Sequence, residues 1–128
     1  MIGNRGNGNS SSSFFSRNGD QVLDDEGRDV LKLAFNEGFM VNGVAEKLGL
    51  TVRDFELALD KVVGMKPKVF FRQYRAVLAR RMMKEGYDLH EIAEQLGFRH
   101  YSHFSTEMKG FYGIPPLRLL KMVRERCS

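Results

Sequence analysis

The feature that most constrains this chain is a pattern of short amphipathic segments, each closed by a single glycine, that occurs twice. Leu89–Pro116 reads LHEIAEQLGFRHYSHFSTEMKGFYGIPP. The spacing predicts a short helix with Leu89, Ile92, Ala93 and Leu96 inward, a turn at Gly97, and a second helix from about His100 to Phe111. In that second helix Tyr101, Phe104 and Met108 fall on the packed side, which leaves His, Ser, Thr and Lys facing solvent.

A looser copy lies at Val44–Pro67. With Gly49 set on Gly97, Ala45 meets Ala93, Leu48 meets Leu96 and Leu50 meets Phe98. Gly64 and Gly113 follow fifteen and sixteen residues after those glycines, and Pro67 and Pro116 each come three residues later. The second unit is therefore one residue longer in its turn. Each part has a mechanical role: the alanine lets two helices cross closely, and the glycine permits the turn. The apolar residues lock the second helix onto the first and leave its other side free to enter a major groove. Phe55, Leu59 and Val62 form the matching stripe in the first unit, with Thr51 placed to cap it.

The remaining segments also read as helical. Val22–Phe35 is expected to form a helix ended by Gly38, and Val41–Leu48 a short one. Lys68–Lys84 is the longest, with Phe70, Tyr74, Val77, Leu78 and Met82 along one side and Arg72, Arg75, Arg80 and Arg81 elsewhere. Leu117–Glu125 forms the last. The expected fold is all-α: seven short helices without an obvious sheet, arranged as two helix-turn-helix subdomains joined by a long linker helix. The expected boundaries are a Gly/Ser/Asn-rich tail at 1–20, a first subdomain at 21–66, the linker helix at 67–85 and a second subdomain at 86–128. The tail composition predicts disorder, with Phe14 and Phe15 its only residues able to bury anything.

Charge is distributed unevenly along these segments. Residues 21–65 carry five basic and nine acidic side chains, net −4, whereas residues 66–128 carry thirteen basic and six acidic, net +7. The second half should attract a polyanion far better than the first. Cys127 is the only cysteine, which rules out an internal disulfide or a cysteine-based zinc cluster. With only His90, His100 and His103 besides, no metal and no cofactor are expected. No segment approaches the roughly 18 continuous apolar residues of a membrane span, and no signal-peptide layout opens the chain. A cytoplasmic protein with no membrane partner is expected. No activated nucleophile, convergent carboxylates or phosphate-binding glycine loop is present, so an enzyme is not expected.

The second unit resembles the signature of the AraC/XylS family of bacterial transcription regulators, through Ile92, Ala93, Gly97, Phe98, Ser102, Phe104, Ser105, Lys109, Gly113 and Pro116. The first agrees more loosely through Val44, Ala45, Gly49, Thr51, Phe55, Leu59, Gly64 and Pro67, and Arg75 and Ala79 match the linker helix. The resemblance covers about 25–121. It implies two homeodomain-like, three-helical units whose recognition helices enter successive major grooves of double-stranded DNA. It also implies transcription regulation, activation more often than repression, with RNA polymerase as a further partner and binding at the bacterial nucleoid. Many members carry a separate effector-binding or dimerisation domain, so this chain is expected to be either a small stand-alone regulator or an excised DNA-binding domain. Two departures stand out. Thr106 replaces a usual basic residue. In the first unit Leu57 and Asp60 stand where a basic residue and a lysine are usual, and Asp60 would face a backbone phosphate.

The expected base contacts are Arg53 and Glu56 from the first unit, and Arg99, His100, His103, Thr106 and Glu107 from the second. Expected phosphate contacts are Lys61, Arg80, Arg81, Ser102, Ser105, Lys109, Arg118 and Lys121. Gly49, Gly97, Gly113 and Pro116 are structural turns; Ala45, Phe55, Leu59, Ile92, Ala93, Phe98, Phe104 and Met108 are core. Two other readings stay open: a protein-interaction module with a degenerate first helix-turn-helix, and a DNA-binding protein without sequence preference.

Overall fold

Two short strands precede seven helices in the described part of the chain, a computed structural model in which residues 15–127 are described. The described backbone divides into two compact units that part between Phe71 and Arg72.

The first unit opens on a β-hairpin. Strand β1, Ser16–Asn18, pairs antiparallel with β2, Gln21–Leu23, in the register Ser16↔Leu23, Arg17↔Val22, Asn18↔Gln21. Gly19, at φ 63°, supplies the left-handed residue that so tight a connection favours. The hairpin replaces two expectations: Val22 lies in a strand rather than at the start of a helix, and Phe15–Asp20 are ordered rather than part of a tail. The physical reason is Asp24. Its buried carboxylate accepts the backbone N–H groups of Glu26 and Arg28, at 3.0 and 2.7 Å, and the Arg28 Nε at 2.8 Å. Those bonds wind the chain into a loop where helical spacing alone suggested continuation. The first helix, α1, therefore spans only Val30–Asn36, with the Asp29 carboxylate accepting the N–H groups of Leu31 and Lys32. Residues 1–14, including Phe14, lie outside the described residues.

Helices α2, Val41–Lys47, and α3, Val52–Val63, complete this unit with the first turn of α4, Pro67–Lys84. Its core gathers rings. Phe55, fully buried, meets Phe15 edge-on at 5.9 Å and Phe71 at 6.2 Å, and Phe39 meets Phe71 at 5.8 Å. Burying a ring of this size is worth roughly 1.5–3 kcal/mol, so Phe15 gives the hairpin a reason to stay folded against α3.

The second unit holds the rest of α4 with α5, Leu89–Gln95, α6, Tyr101–Tyr112, and α7, Pro116–Cys127. The buried side of α4 here is Ala76, Ala79, Met82 and Met83; of the expected stripe Met82 is buried, whereas Val77 is 49% exposed. Two alanines let neighbouring helices approach, a feature that selection by side-chain size overlooks. Ile92, Ala93, Leu96, Phe104, Met108, Leu119 and Val123 complete this core. Phe98, expected in the core, is only half-buried, as are Val62, Leu89 and Tyr101, all expected to face inward.

Candidate nucleic-acid interface

Both helical hairpins turn by the same device. After α2, Gly49 adopts φ 74° and the Leu50 N–H reaches back to the Ala45 carbonyl at 2.9 Å. After α5, Gly97 adopts φ 88° and the Phe98 N–H reaches the Ala93 carbonyl at 3.0 Å. A left-handed residue with a bond five residues back satisfies carbonyls that the helix end would leave open. Glycine is needed because a Cβ is strained at such φ values.

The starts of the helices differ. Thr51 Oγ1 accepts the Asp54 N–H at 3.0 Å and caps α3. Asp88 and Glu91 form a reciprocal capping box on α5, at 2.9 and 3.0 Å. Helix α6 starts on His100, whose side chain makes no capping bond. The first turn of α6 thus presents its N–H groups without a side-chain acceptor.

Outward from α6 stand Ser102, His103, Thr106, Lys109 and Gly110, all exposed, with exposed Arg99 and His100 just before them. Their spacing of three, four, seven and eight places the helical members on one stripe opposite Phe104 and Met108. The His100 and His103 rings meet edge-on at 5.3 Å. At the side of the stripe His90 stacks on Tyr101, 4.4 Å apart and 13° from parallel. Burial raises the Tyr101 hydroxyl above its ordinary value of 10.0. His90, Tyr101, Ala93, Glu94, Phe98 and Arg99 line a recess of about 280 Å³ beside the turn. Ser105 is half-buried on the flank of the stripe.

Glu107, expected among the base contacts, is engaged elsewhere. Its two carboxylate oxygens accept the Nε and Nη2 of Arg75, at 2.7 and 2.8 Å, and the two side chains are 14% and 16% exposed. The Arg75 guanidinium also lies 5.3 Å from the centre of the Phe98 ring. One arginine from α4 therefore fixes both α6 and the turn that precedes it. Tyr112 adds a second tie from the far end of α6, its hydroxyl donating to the Ala76 carbonyl at 2.6 Å. Desolvation raises the Tyr112 hydroxyl, with the nearby Arg80 charge acting against it. Helical position alone made Glu107 look outward. The signal that could have assigned it was Arg75, the matched linker-helix residue, which needed a partner.

The corresponding face of α3 carries exposed Arg53, Leu57, Asp60 and Lys61, with Glu56 half-buried beside them. Leu57 is 42% exposed. Arg118 and Lys121 are exposed on α7. Arg80 is half-buried and Arg81 exposed, both beside the last turn of α6 rather than on its outward stripe. Gly113, at φ 78°, caps the end of α6, and buried Pro116 begins α7.

A family model described as a helix-turn-helix domain, of the AraC type, matches residues 44–122, which is more than half of the chain. The chain belongs to this family. A similar solved structure is the C-terminal domain of the two-component response regulator yesN from Fusobacterium nucleatum subsp. nucleatum. It aligns with a TM-score of 0.61 and 24% identity over 71% of this chain and 94% of that one. That likeness bears on the fold, and it agrees with seven helices in a predominantly helical chain. No curated protein matches the chain. The AraC-type helix-turn-helix family is one of DNA-binding regulatory domains, not of enzymes. Membership supports DNA binding and transcription regulation in general. Among the described residues no group of three or more His, Cys, Asp and Glu could hold a metal ion. Among the described residues no helix is long and apolar enough to cross a membrane.

Proposed function

We propose that this chain is a sequence-specific binder of double-stranded DNA that regulates transcription, with α6 reading the major groove. The observation that carries the reading is the composition of the outward stripe. Arg99, His100, Ser102, His103, Thr106 and Lys109 are all exposed, and the one acid within α6, Glu107, is paired with Arg75. Arg99, His100 and His103 can donate to guanine acceptors, and the Thr106 methyl suits a thymine methyl. Ser102, Lys109 and the uncapped first turn of α6 suit phosphate oxygens.

Helix α3 is the second reading head of this proposal, with Arg53 as its base contact and Lys61 as its phosphate contact. Each helix takes its own segment of major groove. Asp54, Glu56 and Asp60 make α3 the weaker of the two, because phosphate repels each acid that faces it.

Titration of a selected duplex and a scrambled one across a salt series tests the proposal. The expected result is tighter binding of the selected duplex at every salt concentration, and protection of two groove segments in a footprint. Equal affinity for the two duplexes at every salt concentration would overturn site-specific reading. Protection of a single segment would remove α3 from the interface.

A further inference from the structure

Beside the last turn of α6, on the other side from the proposed DNA-reading stripe, the second unit has a concave face of about 450 Å³ lined by Val77, Arg80, Arg81, Lys84, Phe111 and Tyr112. Two properties set it apart from an ordinary solvated helix face. Its three cations lie within one and a half turns of α4, and among the described residues none of them forms a salt bridge; Glu85, next in sequence, does not line it. Two of its apolar residues stand open to solvent beside those cations: Val77 is 49% exposed and Phe111 43%. Phe111 and Tyr112 meet edge-on at 4.9 Å, so an aromatic wall stands opposite a cationic one.

We infer that this face is a binding site for a small aromatic anion, a flat ring system bearing a carboxylate, sulfonate or phosphate. The volume lies in the range of small-molecule sites, roughly 300–1,000 Å³. The ring would pack on Phe111 and Val77 and stack against an arginine, since guanidinium planes accept aromatic faces. The anionic head would take a two-pronged hydrogen bond from Arg80 or Arg81, with Lys84 as a further positive charge. A neutral aromatic would leave the three cations uncompensated. A bare inorganic anion would leave Phe111 and Val77 in water. The pairing of the two chemistries is what selects the ligand class. In this inference Arg80 and Arg81, expected as phosphate contacts, serve the concavity they line.

Calorimetric titration of the whole chain with 2-naphthoate tests the site, and its readout is independent of DNA binding. A ligand of this size at ordinary efficiency should bind with a Kd of about 1 mM or tighter. The neutral 2-naphthamide should bind at least about tenfold more weakly. Arg80→Ala/Arg81→Ala should weaken naphthoate by about tenfold, as should Phe111→Ser, whose exposed ring is not needed for the core. Lys32→Ala in the first unit should change nothing. Far-UV circular dichroism of each variant separates loss of the site from loss of the fold. Equal binding of naphthoate and naphthamide, or naphthoate binding unaltered in folded Arg80→Ala/Arg81→Ala and Phe111→Ser, would overturn the inference. Competitive displacement of naphthoate by a saturating 20-base-pair duplex would also overturn it, by assigning the cations to the DNA face.

Discussion

Replacing Arg75 by Met should damage this protein more than any other single charge removal in the second unit, and a second substitution should repair it. Arg75 and Glu107 hold each other by two charge-assisted bonds at 2.7 and 2.8 Å with side chains only 16% and 14% exposed. Removing one partner of a fully buried pair costs about 3–5 kcal/mol, because the other charge is left desolvated and uncompensated. The residual exposure lets some water reach Glu107, so about 2–3 kcal/mol is expected for Arg75→Met. Loss of the guanidinium beside the Phe98 ring contributes within that figure, at about 0.5–1 kcal/mol. Arg75→Met/Glu107→Leu removes both charges and should return to within about 1 kcal/mol of the parent, since a pair of apolar groups of similar volume needs no compensation. Arg75 has a further interaction besides these, and the double-mutant cycle isolates the pair from it. Urea unfolding followed by circular dichroism measures Arg75→Met, Glu107→Leu and the double variant against the parent. A coupling below about 0.5 kcal/mol would refute the claim that this pair pins α6. Duplex titration supplies a second readout: Arg75→Met should lower the preference for a selected site more than the affinity for scrambled DNA, because the orientation of the reading stripe is lost while its charges remain.

Other substitutions probe separate parts of the argument. Lys109→Ala should reduce the slope of log affinity against log salt by about 0.9, the signature of one phosphate contact; an unchanged slope removes Lys109 from the interface. Asp60→Lys should tighten duplex binding and steepen the same slope by about 0.9 if α3 faces phosphate, and no effect would place α3 away from DNA. Two glycines give opposite signs in thermal or urea unfolding. Gly49→Ala meets no atom within 4 Å but sits at φ 74°, so it should destabilise by about 1 kcal/mol through backbone strain alone. Gly110→Ala, with nothing within 4 Å and ordinary helical φ, should stabilise α6 by roughly 0.5–1 kcal/mol. Asp88 titrates below its ordinary 3.8, chiefly through the Glu91 N–H, then the His90 N–H and the Glu91 side chain. A depressed carboxylate stabilises above its unfolded pKa, and that stability is lost as pH falls through the folded value. Amide exchange in α5 should therefore accelerate below pH 4, and Asp88→Asn should remove that step.

The helical hairpins were legible because their signals are local. A glycine four residues after Ala45 or Ala93, a cap such as Thr51, and apolar residues three and four apart each act within a few residues of chain. What escaped depends on partners distant in sequence or on groups that compete with the helix. The hairpin at Ser16–Leu23 is secured by Phe15 on Phe55, forty residues away, and the expected first helix is cut short by one carboxylate, Asp24, gathering backbone N–H groups. The buried side of α4 was misjudged because close packing favours Ala76 and Ala79 over the larger Val77. Glu107 illustrates the same limit at the candidate site: helical spacing gives its direction around α6, and the arginine thirty-two residues earlier decides what it does there. Arg99, His100, Ser102, His103, Thr106 and Lys109 were legible as exposed, whereas Ser105 is half-buried. What they touch is a property of a ligand, which helical spacing does not encode.

The two units share a turn geometry yet differ in what their second helices offer a polyanion, and the difference is concentrated in a few positions. With Gly64 aligned on Gly113, Asp60 falls on Lys109 and Ala58 on Glu107. The first substitution reverses a charge on the outward face. The second leaves α3 without a counterpart to the Arg75 clamp, for Ala58 is fully buried and apolar. Helix α3 instead packs through the ring cluster of Phe15, Phe55 and Phe71, a non-directional contact that tolerates small rotations, whereas a two-pronged ion pair fixes an angle. Charge and rigidity thus point the same way. The helix that carries the favourable charge is also the one whose orientation is set by directional bonds, which is what discrimination between base edges, as distinct from attraction to phosphate, requires.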